Sequence, residues 1–113
     1  MDIKLPIQIE NRIVLILIET SLWKISDNFG EVFIGFTDES FTVFCVLYED
    51  SQKDRESIRK MDQEISILLS KYDINDISYD IHIVVNEKID ESEYKTFRQT
   101  FKRQVDFSDP EQY

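Results

Sequence analysis

The feature that most constrains this chain is an apolar seam, spaced three and four residues apart, between runs of alternating apolar residues. The seam consists of Ile58, Met61, Ile65, Leu68 and Tyr72. Such spacing places the side chains along one side of an α-helix. Ser51 to Asp54 resembles a capping box at the start of this helix. We therefore predict a helix over residues 52–71 that lies across a sheet.

The alternating runs predict the strands of that sheet. Residues 31–37 and 41–48 read as a β-hairpin with Asp38-Glu39-Ser40 as its turn, and residues 77–86 read as a third strand. Alternate side chains lie on opposite faces of a strand. The set expected to face the helices is mainly aliphatic: Val32, Ile34, Phe36, Phe41, Val43, Cys45, Leu47, Ile77, Tyr79, Ile81, Ile83 and Val85. The opposite set includes Phe33, Phe44, Val46, Tyr48 and Val84, which is too apolar for an ordinary wet face.

Two further helices are predicted at the ends of the chain. Residues 8–25 contain the β-branched run 13–18, but the apolar pattern continues to Ile25 and favours a helix. Leu15 and Ile18 widen its apolar side, so we expect it to be largely buried. Residues 91–105 carry Tyr94, Phe97, Phe101 and Val105 at helical spacing, with a strand as the alternative.

The fold class that follows is α+β, in the order α-β-β-α-β-α, with a three-stranded sheet and two helices packed on one face. Residues 1–113 form one domain, in which 91–113 are a C-terminal helix and a frayed tail. Three explanations compete for the aromatic second face of the sheet. The C-terminal segment covers it, a second copy of the chain covers it in a homodimer, or another protein docks on it.

The charge distribution points to a basic partner. The formal net charge is −10, and it belongs to residues 1–92, because residues 93–113 carry four acids and four bases. Such a chain is repelled by nucleic acid and by anionic membrane surfaces. The single cysteine, the absence of a signal-peptide pattern and a longest apolar run of only six residues indicate a cytoplasmic protein.

The residues that usually carry chemistry are few. His82 has no cysteine or second histidine at ligand spacing, so we expect no metal site. Strand alternation places Cys45 and His82 on opposite faces, which argues against a nucleophilic pair. No phosphate-binding glycine motif occurs. We therefore expect no catalytic residue and no cofactor, which means a protein that binds a partner rather than an enzyme.

Two short strings carry a family resemblance. Glu10-Asn11-Arg12-Ile13-Val14-Leu15, continuing to Glu19, resembles the first helix of a group of small bacterial proteins, and Asp54-Arg55-Glu56 resembles the opening of their second helix. The resemblance covers residues 3–86 and ends before the aromatic segment 94–107. The group includes immunity proteins of contact-dependent growth inhibition and other polymorphic toxin systems. Because its members bind different toxins, the resemblance implies a function but assigns no binding residue.

The favoured hypothesis is an immunity protein that neutralises a basic, nuclease-type bacterial toxin by occluding its active surface. The alternative is a homodimeric structural or adaptor domain that associates through the aromatic sheet face. Residues expected to bind the partner are acids that flank exposed elements and two aromatic anchors: Asp38, Glu39, Glu49, Asp50, Asp73 and Asp76, with Phe44 and Tyr48.

Overall fold

The described part of the chain contains two α-helices and four strands. The computed structural model describes residues 6–22, 24–74 and 76–102. In chain order the elements are α1 (Ile7–Ser21), β1 (Phe29–Phe36), β2 (Ser40–Leu47), α2 (Gln52–Lys71), β3 (Ser78–Val85), a 3-10 turn (Glu91–Glu93) and β4 (Thr96–Lys102). The α+β class with two helices is confirmed, and the sheet has one strand more than the sequence predicted. None of the helices in these residues is long and apolar enough to cross a membrane.

The four strands form one sheet in the order β3-β2-β1-β4. β1 pairs antiparallel with both β2 and β4, whereas β2 and β3 are parallel. Phe36, Ser40, Ser78 and Thr96 therefore mark one end of the sheet, which we call the turn end. Phe29, Leu47, Val85 and Lys102 mark the opposite end, which we call the far end.

Both helices pack on one face of this sheet, as the aliphatic alternation predicts. Their buried side chains and the inward side chains of the strands form one hydrophobic cluster. Fully buried members include Val32, Ile34 and Phe36 of β1, together with Phe41, Val43, Cys45 and Leu47 of β2. Removal of this apolar surface from water is the main force that holds the layers together.

α2 begins and ends where the apolar seam predicts. The Ser51 side chain accepts a hydrogen bond from the Asp54 backbone N–H, which satisfies one of the free donors of the first turn. The Asp54 carboxylate is itself buried, and it accepts hydrogen bonds from Ser26 Oγ at 2.7 Å and Asn28 Nδ2 at 2.8 Å. Asp54 therefore ties the loop between α1 and β1 to the start of α2.

α1 differs from its prediction in length and in burial. It ends at Ser21 rather than at residue 25, and its core side carries Ile13, Ile16 and Thr20. Leu15 and Ile18 do not widen that side, because their side chains are 65% and 41% exposed. The expectation of a largely buried helix was wrong, since one side of α1 leaves large aliphatic side chains exposed.

The predicted C-terminal helix over 91–105 was also wrong. A 3-10 turn over Glu91–Glu93 is followed by β4, which continues the sheet beside β1. The register shifts where Val32 pairs with Phe101 but Phe33 pairs with Gln99, so Thr100 is an extra residue in the strand. This bulge places Phe97 and Phe101 on opposite faces although they are four residues apart. The predicted tail beyond residue 102 lies outside the described residues.

Replacement of Asp54 by alanine should destabilise the fold by about 2 to 3 kcal/mol, because Ser26 and Asn28 lose a buried acceptor. Burial alone would raise the pKa of Asp54, but the hydrogen bonds from Ser26, Asn28 and Ser51 hold it below its ordinary value. The carboxylate therefore contributes fully above about pH 4, the ordinary aspartate pKa, and the contribution is lost as the pH falls through the lower folded-state pKa.

Urea unfolding of the wild type and Asp54→Ala at pH 7 and at pH 3 measures this difference. The exposed substitution Gln63→Ala on α2 is the control and should change the free energy of unfolding by less than about 0.5 kcal/mol. If Asp54→Ala lowered the free energy of unfolding equally at both pH values, the stabilisation would not come from the ionised Asp54 carboxylate.

Candidate functional site

Acidic side chains from separate parts of the chain lie at the turn end of the sheet. Asp38 and Glu39 lie in the β1–β2 turn, and Asp76 precedes β3, whose first residue Ser78 pairs with Ser40. Asp73 follows α2, which ends at this same end because α2 connects two parallel strands. The strand pairing thus assembles four of the six predicted acids. Glu39, Asp73 and Asp76 are exposed.

The 3-10 turn adds two acids to this group. The Lys95 backbone N–H donates to the Phe36 carbonyl at 2.7 Å, which fixes the residues before β4 at the turn end. Glu91 and Glu93, one turn earlier, are exposed. We call the six residues the acidic cluster: Asp38, Glu39, Asp73, Asp76, Glu91 and Glu93. Lys71 and Lys95 border it, so the cluster keeps an excess of negative charge.

Lys95 connects the acidic cluster to the helix layer. Its Nζ lies 3.2 Å from Asp38 Oδ1 and 3.8 Å from Oε2 of Glu10 on α1. Glu10 is only 2% exposed, so this cation supplies charge compensation that a buried carboxylate requires. Lys95 therefore pairs with acids of both the hairpin turn and α1. Lys95 therefore offsets part of the negative charge of Asp38. The neighbouring Glu39 side chain is exposed to solvent.

Tyr48, Glu49 and Asp50 lie at the far end. Asn28 bonds to the backbone of Glu49 with both side-chain atoms, and Asp50 forms an ion pair with Arg55 at 2.6 Å. The hydrogen bond from Arg55 lowers the pKa of Asp50. The ring of Tyr48 lies over Gly30, and the side chain is 49% exposed. The structure therefore separates Tyr48, Glu49 and Asp50 from the other predicted acids by the length of the sheet.

The chain between β3 and β4 crosses the second face of the sheet. β3 and β4 are opposite edges, and the connection runs from Val85 at the far end to Thr96 at the turn end. Tyr94 of this connection lies directly on β1, because a Cβ built on Gly35 would come within 2.6 Å of the Tyr94 ring. Gly35 therefore permits a close approach that any other residue would block.

Tyr94 belongs to an aromatic cluster on the second face. Phe44 is its centre, with Phe97, Tyr94 and His82 at ring-centroid distances of 5.9, 5.7 and 5.5 Å, and Phe33 packs on Phe97 at 5.1 Å. We call Phe33, Phe44, Tyr94 and Phe97 the aromatic cluster. Phe44 is only 6% exposed, whereas the other three members are half-buried.

The competing explanations for the second face are thereby partly resolved. Tyr94 and Phe97 of the C-terminal segment cover much of it, while Phe101 packs into the main core on the other face. Phe44, predicted as an exposed anchor, forms the floor of the cluster, so the side chains that a partner would contact are Phe33, Tyr94 and Phe97.

Sequence reasoning missed Tyr94, Phe97, Glu91 and Glu93 as candidate site residues, because it assigned them to a helix. The signal was present in Thr96-Phe97-Arg98-Gln99-Thr100-Phe101, which is rich in the β-branched and aromatic residues that favour strands.

The residues considered for chemistry lie where alternation predicts. Cys45 pairs with Ile83 on the helix side, and His82 pairs with Phe44 on the second face, so the two side chains are on opposite faces. Burial raises the pKa of the Cys45 thiol to about 12. In residues 6–22, 24–74 and 76–102 no group of three histidine, cysteine or acidic side chains is arranged to hold a metal ion.

Comparison with known proteins adds no family to these observations. No protein-family model matches the chain, and no curated protein matches it.

The contact between Tyr94 and Gly35 can be tested with a double-mutant cycle. Gly35→Ala should destabilise the wild type by about 1 to 3 kcal/mol, since the added methyl displaces the Tyr94 ring. In a Tyr94→Ala background the same substitution should cost much less, because the space is then empty. Urea unfolding of the four proteins gives the coupling free energy.

Gly30→Ala is the matched control for this cycle. The atoms nearest to a Cβ there belong to the half-exposed Tyr48 ring, at 3.3 Å, and that ring is able to move toward solvent. Gly30→Ala should therefore cost less than Gly35→Ala and show no coupling to Tyr94→Ala. Additive costs for Gly35→Ala and Tyr94→Ala would contradict the placement of Tyr94 on β1.

Proposed function

We propose that this protein is a bacterial immunity protein that binds and neutralises a basic, nuclease-type toxin domain. The supporting observation is the continuity of two features at the turn end. The acidic cluster gathers there from the hairpin turn, the α2–β3 loop and the 3-10 turn, and the aromatic cluster adjoins it through Tyr94 and Phe97. Acids beside half-buried aromatics are the composition of a charge-selective protein interface.

The electrostatic part of the proposal follows from what a nuclease must bind. An enzyme that cuts nucleic acid holds phosphates with basic side chains. A chain of net charge −10 attracts such a surface over long distances, which accelerates association. Exposed carboxylates such as Glu39 and Asp76 would then occupy positions that phosphates take in the substrate complex. This occupation would occlude the active surface without catalysis by the inhibitor.

The aromatic side chains would determine how long the complex lasts. Tyr94 and Phe97 are held by contacts with Gly35 and Phe44, so little side-chain freedom is lost when a partner covers them. Rigid aromatic side chains next to a charged rim slow dissociation. The homodimer alternative through this same face is weaker, because Phe44 is buried by its own chain and no longer offers an open apolar patch.

The test uses the polypeptide encoded next to this gene as the probe. Co-expression should protect cells from that polypeptide, and the two purified proteins should form a one-to-one complex by calorimetry. Glu39→Lys combined with Asp76→Lys should weaken binding at least about tenfold at low salt, mainly through slower association. A failure of the wild type to bind at micromolar concentration and to protect cells would refute the proposal.

The matched control is Glu49→Lys combined with Asp50→Lys, which makes the same change in net charge at the far end of the sheet. It should weaken binding much less than the turn-end pair, because only the general attraction is reduced. Thermal unfolding of both variants establishes that they fold. An equal loss of affinity in the two variants would show that the partner responds to the net charge of the protein and not to the position of the acidic cluster.

A further inference from the structure

One side of α1 presents large aliphatic side chains to solvent. Ile7, Leu15, Ile18 and Leu22 are 57%, 65%, 41% and 62% exposed, and their spacing places them along one line of the helix. We call these four residues the α1 stripe. Asn11 interrupts the line between Ile7 and Leu15, but a monomer rarely exposes so many large aliphatic side chains on one side of a helix. The stripe lies on the helix layer, on the opposite side of the sheet from the aromatic cluster.

The charges beside the stripe do not share the negative excess of the chain as a whole. The exposed residues of the helix and its C-cap are Ile7, Gln8, Asn11, Arg12, Leu15, Ile18, Glu19 and Leu22, with one base and one acid among them. Arg98 of β4 adds a second base, because its guanidinium donates to Asn11 Oδ1 at 2.7 Å. A strongly acidic protein repels its own copies over most of its surface. This apolar surface lacks an excess of negative charge, so it does not repel a second copy in that way and offers a basic partner little attraction.

Arg12 and Glu19 are also placed to pair between two copies. They are seven residues apart, which is close to two helical turns, so both lie on the same flank of the stripe. If two α1 helices pack antiparallel about a twofold axis between Leu15 and Ile16, Arg12 of each copy lies opposite Glu19 of the other. Leu15 then packs at the axis, and Leu22 of one copy approaches Ile7 of the other.

The flank is partly ordered before any partner arrives. The Arg12 guanidinium lies 5.1 Å from the centre of the Tyr72 ring, a cation–π contact that fixes its position. An open groove of about 370 Å³ lies between α1 and Tyr72, with Arg12 and Glu19 on its lining. Side chains of a second copy therefore have space beside the stripe.

We propose that the α1 stripe is a homodimer interface, in which antiparallel α1 helices form two symmetric Arg12–Glu19 ion pairs. This surface is separate from the acidic and aromatic clusters, so a dimer would leave both free. The proposal stands independently of the proposed function, because it requires only a second copy of the chain.

Sedimentation equilibrium of the full chain over micromolar to millimolar concentrations tests the proposal. The wild type should show a monomer–dimer equilibrium, and Leu15→Asp should be monomeric. Ile67→Asp is the matched control, since Ile67 is equally exposed at 65% but lies on α2, and it should leave the equilibrium unchanged. Circular dichroism establishes folding of each variant.

The charge pairs give a second, more specific measurement. Arg12→Glu and Glu19→Arg should each weaken the dimer about tenfold, since each turns two attractions into two repulsions. An equimolar mixture of these two variants should recover the wild-type affinity as a heterodimer, because both pairs then join opposite charges, one in its native orientation and one inverted.

Three results would overturn the proposal. The first is a wild type that remains monomeric throughout the concentration range. The second is a dimer that persists in Leu15→Asp. The third is a mixture of Arg12→Glu and Glu19→Arg that associates no better than either variant alone. A monomer in which Leu15→Asp lowers the free energy of unfolding would indicate instead that the chain covers its own stripe.

Discussion

The pairing of β1 on both sides is the constraint on which the rest of the structure depends. β1 uses β2 and β4 as partners, and it supplies Val32, Ile34 and Phe36 to the core. A central strand leaves backbone donors and acceptors unsatisfied until both neighbours are in place. Because β4 is the last described strand, the sheet is complete only when the chain has crossed the second face. That crossing delivers Tyr94 to Gly35 and brings Glu91 and Glu93 toward the hairpin turn.

The sequence alone predicted those elements whose apolar residues follow either the helical or the strand repeat throughout. α2 spans the predicted residues because its apolar spacing, its capping residue and its length agree. The hairpin and β3 are within two residues of their predicted bounds. β4 was assigned to a helix because Tyr94, Phe97 and Phe101 have helical spacing, and the bulge at Thr100 removes the strand alternation that would have revealed it. Leu15 and Ile18 were assigned to the core because composition alone does not distinguish a buried apolar side from an unpartnered one.

The candidate site was predictable in its chemistry and less so in its arrangement. Acids in the turns and an aromatic second face were visible in the printed sequence. Their grouping depends on strand order, because the parallel pairing of β2 with β3 brings Asp76 to the hairpin turn and leaves Glu49 and Asp50 at the far end. Phe44 was predicted to be an exposed aromatic anchor. In the structure, Tyr94 and Phe97 cover it. Local patterns carry no information about which strands become neighbours when the connecting segment is long.

We propose that a basic partner binds at the turn end, across the acidic cluster and the exposed edge of the aromatic cluster. Hydrogen exchange of this protein, alone and in complex with the polypeptide encoded by the adjacent gene, tests the claim most directly. We expect new protection in residues 37–41, 76–80 and 91–97, with little change in residues 48–53. Protection confined to residues 48–53 or to α1, with the turn end exchanging as in the free protein, would contradict it.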